Sequence, residues 1–226
     1  MTESIKDLVP RFFNKTALSY DKIVNRTTFG KDKDWKKEIL KKIPQSESIL
    51  DLACGTGILT KQISEKFPNA KIVGVDMTES YLEIAKKKFA MYQNISFVKQ
   101  DAEKLDLNCK FDCITSSYLP KYCKPEILIK SCLYHLRPGG KIILHDFTYP
   151  KNKTVRKLWN LYFVVLKILG FFLPSWKDVF VELPKLIRST KWLEEYQNVM
   201  KKHGLKVECQ TLTSETSAIL TGSNIV

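Results

Sequence analysis

The chain lacks paired cysteines. Its six, Cys54, Cys109, Cys113, Cys123, Cys132 and Cys209, include no C-x-x-C spacing. The three histidines, His135, His145 and His203, are scattered, so no zinc site is complete and no metal is expected. The cysteines read as reduced thiols of a cytoplasmic protein, mostly core filler. The first residues, Met1 to Asp7, are polar and carry no apolar h-region, so a signal peptide is not expected. Internal repeats and low-complexity linkers are also missing. One domain over residues 1–226 is the economical expectation. Acidic residues are in deficit: 24 Asp and Glu against 37 Lys and Arg leave a net charge of +13. Such a surplus attracts anions, whether nucleic acid, acidic lipid or a phosphorylated small molecule, unless it only reflects solvated basic helix faces.

What is present is a strict alternation of strand and helix patterns. Residues 3–24 read as helical, with Leu8, Phe12 and Leu18 among the apolar positions, and 31–43 as a lysine-rich helix stopped by Pro44. These form a helical cap over residues 1–45. Strands follow at 48–53, 71–76, 95–99, 111–116 and 141–147. Helices lie between them at 58–67, 80–89 and 125–136, and Pro138-Gly139-Gly140 makes a turn. That rhythm means βαβ units, a parallel sheet and helices on both faces. An apolar helical stretch at 153–173 comes next, then a helix at 191–203 capped by Gly204. Two closing strands, 207–213 and 217–221, suit a hairpin.

The segment Ile49-Leu50-Asp51-Leu52-Ala53-Cys54-Gly55-Thr56-Gly57-Ile58-Leu59-Thr60 puts a G-x-G turn between a strand and a helix, where such sheets bind nucleotides. The dinucleotide fingerprint needs a small residue three positions after Gly57, and Thr60 stands there. Asp51 near this loop would repel a pyrophosphate and suit an α-ammonium group. Asp76 closes the second strand, where an acid accepts hydrogen bonds from ribose hydroxyls. Asp101-Ala102 follows the third strand, within reach of an adenine amino group. A nucleoside that carries an amino acid and no phosphate is S-adenosylmethionine (SAM).

Ile49 to Thr60, Ile72 to Asp76, Gln100 to Ala102 and Leu136-Arg137-Pro138-Gly139-Gly140 resemble the class I SAM-dependent methyltransferases over about two-thirds of the chain. The resemblance implies an α/β, Rossmann-like fold with a seven-stranded, mostly parallel sheet, one strand antiparallel. A narrower likeness is to the UbiE-type methyltransferases, which C-methylate polyprenyl benzoquinols and naphthoquinols in ubiquinone and menaquinone biosynthesis. It rests on Ala17-Leu18-Ser19-Tyr20-Asp21-Lys22-Ile23-Val24-Asn25, Phe29-Gly30, Trp35, Phe111 to Thr115 and His145 to Pro150. The cofactor set expected from residues and likeness together is Tyr20, Asp51, Ala53, Gly55, Gly57, Thr60, Asp76, Met77, Asp101, Ala102 and Ser117. The chain departs from that group at Leu119-Pro120-Lys121-Tyr122, where a Gly-x-Arg-Asn element would stand. It departs again at Ser214-Glu215, which replaces a glycine after Leu-Thr. Both departures bear on the acceptor.

Methyl transfer to oxygen or to a ring carbon needs help in removing a phenolic proton. Lys121, Tyr118, His145 and Asp146 are the candidates, and the sequence does not rank them. The run from Leu158 to Leu173 is interrupted by Asn160 and Lys167 and ended by Pro174. Lys153, Arg156, Lys157, Asn160 and Lys167 share one side of its helical wheel. This insert, 151–190, reads as a membrane-docking element or a lid over a lipophilic substrate, against a buried helix or a homodimer contact. The leading expectation is a quinol C-methyltransferase acting at an acidic membrane surface, peripheral and on the cytoplasmic side. Another small or lipid-like acceptor is the alternative. RNA is not expected, because the aromatics do not alternate with lysines. A non-catalytic partner protein is disfavoured by the intact cofactor loop.

Overall fold

The computed structural model describes residues 8–224. Helices α1 (Leu8–Phe13), α2 (Tyr20–Thr27) and α3 (Lys31–Lys42) precede the sheet. The helix expected over 3–24 is therefore interrupted, and its first residues lie outside the described range. A 3-10 turn at Ala17–Ser19 separates α1 from α2. Thr16 causes the break: its hydroxyl turns back on the Phe12 carbonyl (3.0 Å) and pairs with the Tyr81 hydroxyl (2.7 Å). Leu18, on that turn, is 97% exposed.

The sheet strands are β1 (Ser48–Leu52), β2 (Lys71–Asp76), β3 (Ile95–Lys99), β4 (Phe111–Ser117), β5 (Leu136–Phe147), β6 (Leu205–Leu212) and β7 (Ser217–Asn224). Their order is β3-β2-β1-β4-β5-β7-β6. Pairing is parallel from β3 to β5, and β7 runs antiparallel to both β5 and β6. This is the seven-stranded Rossmann-like sheet expected, and β7 is its antiparallel strand. The crossover helices are α4 (Ile58–Lys66), α5 (Glu79–Lys88) and α6 (Pro125–His135), and α9 (Trp192–Lys202) leads into β6. Pro138-Gly139-Gly140 does make an excursion, but within β5. Phe111 pairs with Leu136 and Cys113 with Lys141, so three extra residues bulge out between the two pairs.

β1 is buried at every position, as a central parallel strand should be. One face of the sheet packs Leu50, Leu52, Ile114, Ile142 and Leu144 against α6 and α9, and the other packs Ile49, Ile72, Cys113 and Ile143 against α3 and α4. A third apolar cluster lies off the sheet. It joins the N-terminal helices to α7 (Lys153–Leu169) and α8 (Lys177–Ser189) through Phe12, Ile23, Trp159, Phe163, Trp176 and Phe180. The apolar stretch expected over 153–173 is shorter as a helix, because the chain turns at Gly170 and Pro174 into α8. Cys54, Cys113 and Cys132 fill the core as expected, whereas Cys109 and Cys209 are exposed; none of the six forms a disulfide.

Candidate active site

Parallel strands deliver their carboxyl ends to one edge, and the site residues come from five of those ends. After β1 the backbone turns sharply through Ala53 (φ 53°), Gly55 (φ 57°) and Gly57 (φ 84°). Gly57 begins α4 in the left-handed region, and a Cβ there would lie 2.4 Å from a Phe89 ring carbon. No other residue type fits. Ala53 holds the same region without that freedom, a local strain of the kind concentrated at binding sites.

Asp76 ends β2, and its two carboxylate oxygens accept the N–H groups of Gly55 (2.9 Å) and Thr78 (2.8 Å). It thereby ties the loop after β1 to the loop after β2. Burial raises its pKa, and these backbone hydrogen bonds oppose the rise. Asp101, after β3, caps a 3-10 turn by accepting Glu103 N–H at 3.0 Å. Tyr20, Ala53, Gly55, Asp76, Met77, Asp101, Ala102 and Ser117 all line one narrow pocket, of about 80 Å³. Two carboxylates face it, and among the described residues that line it there is no lysine, arginine or histidine. The described lining offers a phosphate no counter-charge. A cationic amino-acid nucleoside fits the donor and acceptor set, with acids for ribose and ammonium groups and aromatic walls for the rest.

Three expected cofactor residues sit elsewhere. Asp51 is fully buried on β1 and accepts the Thr60 hydroxyl at 2.6 Å; its pKa is pushed up to about 7, by burial above all. It borders a smaller recess with Lys36, Cys54 and Thr56, which adjoins the narrow pocket at Tyr20, Ala53, Gly55, Ser117 and Tyr118. Thr60 and Gly57 line neither pocket. Both support the loop from the α4 side.

The Tyr20-Asp21 element has a clear local role. Asp21 accepts the Thr56 hydroxyl (2.5 Å) and the Lys88 ammonium (2.5 Å), pinning α2 onto the glycine loop and α5. The Tyr20 ring then lies between Tyr81 (5.1 Å) and Trp176 (6.1 Å, stacked).

A second cavity adjoins the first and is far larger, about 520 Å³. Its walls come from α2, α7 and α8, with Trp35, Phe147, Trp159, Phe163 and Trp176 prominent. Phe13, Tyr20, Tyr118 and Tyr122 line both spaces, so they form the partition between them. The sequence pattern shows the aromatic residues of this cavity but not that α2, α7 and α8 meet around a space.

The four candidates for proton handling divide. Tyr118 lines both pockets and Lys121 lines the large one. Lys121 is buried and paired with Asp146 at 2.8 Å, and its pKa is lowered by burial against the pull of that carboxylate. Asp146 and His145 are wholly buried and line neither space. His145 has Ser117 Oγ at 2.9 Å on Nδ1 and Ser217 Oγ at 2.7 Å on Nε2. Burial, with Lys36 and Lys121 nearby, holds its pKa well below the usual histidine range. Two residues the sequence did not single out complete the site: Asp32 accepts the Tyr118 hydroxyl at 2.8 Å and forms a buried ion pair with Lys36.

Comparison with known proteins agrees with this geometry. The sequence profile of the ubiE/COQ5 methyltransferase family matches residues 1–224. The demethylmenaquinone methyltransferase of Staphylococcus aureus (strain JH9) is 26% identical over 227 aligned residues, covering 96% of this chain and 93% of that protein. Among solved structures, a SAM-dependent methyltransferase from Aquifex aeolicus superposes with a TM-score of 0.60 at 12% identity, over 84% of this chain and 89% of that one. The SAM-dependent methyltransferase SibL superposes at 0.64 with 13% identity; 92% of this chain is matched, and it spans only 60% of SibL. These two likenesses are of fold. The match over nearly its whole length places this chain in the ubiE/COQ5 methyltransferase family, as an enzyme that takes its methyl group from S-adenosylmethionine.

Proposed function

We propose that this enzyme methylates a ring carbon of a lipophilic quinol at the surface of an acidic membrane. The observation that carries the reading is the pairing of a narrow acid-bearing pocket with a large aromatic cavity across a thin partition. The name of the Staphylococcus aureus relative, a demethylmenaquinone methyltransferase, supports the same acceptor class.

In this reading the cofactor lies in the narrow pocket. Asp76 takes the ribose hydroxyls, Asp101 and Ala102 the adenine, and Gly55 and Ala53 let the backbone come close. Asp51, whose pKa burial pushes up to about 7, would be drawn to its carboxylate form by the cofactor's ammonium group. When bound, SAM supplies a sulfonium-borne methyl group for in-line transfer. The chain supplies alignment and exclusion of water: Tyr20 and Trp176 close the apolar side, and Tyr118 and Lys121 stand at the boundary where the ring hydroxyl would lie. His145 and Asp146 act from behind, holding Ser117 and Lys121.

The exposed face of α7 supports membrane docking. The fully buried residues of α7 are Trp159, Phe163 and Leu166, a narrow stripe at i, i+4, i+7, with Tyr162 partly buried beside them. Leu161, Val164, Ile168, Phe171 and Phe172 are exposed, the last two at 67% and 78%. Lys153, Lys157, Lys167 and Lys177 flank them, suited to anionic head groups at about 1 kcal/mol each. Among the described residues no helix is long and apolar enough to cross a membrane.

The test is methyl transfer from labelled SAM to a demethylated quinol in anionic vesicles, with neutral vesicles alongside. Label in the quinol, favoured by anionic lipid, is the expected result. SAM binding without transfer to any quinol would move the assignment to another acceptor.

A further inference from the structure

Tyr118 is held in an unusual way. It is a bulky residue in the left-handed region (φ 73°), which costs about 1–3 kcal/mol and persists only under external restraint. Four restraints act on it. Its N–H donates to the His145 carbonyl (2.8 Å), and its own carbonyl accepts Lys121 Nζ (2.7 Å). Its ring stacks on Phe147 at 4.8 Å, and its hydroxyl donates to Asp32 Oδ1 at 2.8 Å. The result is a phenol fixed at the partition between the two pockets. Its proton points at a buried carboxylate, and its lone pairs are left to whatever occupies the site.

The other candidates lack that combination. Lys121 as an ammonium offers no lone pair and already donates to Asp146 and Tyr118. His145 has both ring nitrogens engaged and no exposure. Asp146 accepts from Lys121 Nζ and from the backbone N–H groups of Lys121 and Phe147. Asp32 is 3% exposed, and the Lys36 ammonium beside it lies 5.1 Å from the Tyr118 ring centre.

We propose that Tyr118 and Asp32 form the proton relay for the acceptor, with Tyr118 the catalytic residue and Asp32 a positioning residue that acts through it. The proposal rests on the phenolic acceptor proposed above. The acceptor's O–H bond breaks and an O–H bond forms at Tyr118 Oη. The Tyr118 O–H bond breaks and one forms at Asp32 Oδ1. The electron pair stays on the acceptor as phenolate, on the side of the cavity lined by Lys121, and makes the ring carbon nucleophilic. After the carbon is methylated, its ring proton leaves to water. The relay runs backwards to restore the hydroxyl, so Asp32 ends as a carboxylate.

The test needs Tyr118→Phe and Asp32→Asn, and two readouts. The first uses 4-nitrocatechol, a phenol whose spectrum reports its ionisation, at a pH where the free probe is mostly neutral. Wild-type protein is expected to raise the bound phenolate fraction severalfold, and both variants to abolish the rise. Circular dichroism spectra that match the wild type show that the variants are folded. The second readout is turnover: kcat should fall about a hundredfold or more, with KM within threefold. Asp32→Asn exposes Lys36 to an unpaired burial, so Tyr118→Phe decides alone if the other variant unfolds. Probe ionisation unchanged in Tyr118→Phe, or no ionisation by the wild type, overturns the relay. Probe ionisation by the wild type without quinol methylation upholds the relay and overturns the quinol reading instead.

Discussion

The two pockets meet at one wall and are built on different principles. The narrow one is made from strand ends: β1, β2, β3 and β4 each deliver one turn, and the hydrogen bonds of Asp76 lock two of those turns together. The aromatic cavity is walled mostly by helices α2, α7 and α8, with Trp35 of α3 and Phe147 at the end of β5 closing it on the sheet side. Parallel ladders fix strand ends to within a fraction of an ångström, as cofactor positioning requires. Helices held mainly by apolar contact and a few side-chain hydrogen bonds can be exchanged or shifted at less cost to the sheet. The lesson is a division of labour, with a rigid cofactor side and an adaptable acceptor side.

The comparison breaks most sharply at Asp76. Asp76→Ala removes the acceptor of two loop N–H groups as well as the ribose partner, and calorimetry is expected to show SAM affinity at least about a hundredfold weaker. Equal affinity would remove Asp76 from the cofactor side. Next in size is Trp176→Ala, on the aromatic side. Trp176 stacks on Tyr20 and donates to Ser19 Oγ at 2.9 Å. Steady-state kinetics should show the acceptor KM up about tenfold or more while SAM affinity changes less than twofold, because only the helical wall is altered. A parallel loss of SAM affinity would mean that the two sides are one unit.

A smaller effect is expected outside both pockets. Replacing Phe171 and Phe172 by serine should weaken sedimentation with anionic vesicles about tenfold and leave turnover on a detergent-dispersed acceptor intact. The smallest concerns Asp51. Its folded pKa, near 7, is raised by burial above the ordinary carboxylate value, so the folded state holds its proton more tightly than the unfolded chain. That contribution to stability is complete below about pH 4 and is lost as pH rises through 7. Thermal melts of Asp51→Asn should therefore fall less than those of the wild type between pH 4 and 7, by a few degrees. An identical pH slope would show that Asp51 stays ionised when folded.

Much of the first pocket was legible in the sequence because its parts are local. Gly55, Gly57, Asp76 and Asp101 each sit within a few residues of a strand end, and β2 and β3 fall at the boundaries expected from their apolar runs. The continuous helix over 3–24 failed because Thr16 makes a side-chain bond across 65 residues to Tyr81, which no local pattern displays. Likewise the bounds of α8 were hidden inside a segment, 151–190, legible only as an apolar helical insert. Its Pro184 and mixed polarity obscure a helix whose inward face is set by partners in α1 and α7.

By itself the sequence determined the sheet, the loop chemistry and therefore the cofactor, since strand periodicity and turn chemistry are properties of neighbouring residues. The tertiary structure alone decided where acceptor chemistry can occur. Asp32 meets Tyr118 across 86 positions, and His145 meets Ser217 across 72. Such meetings depend on how α3 and β7 dock against the sheet, which is set by packing of the whole chain and leaves no periodic trace along it.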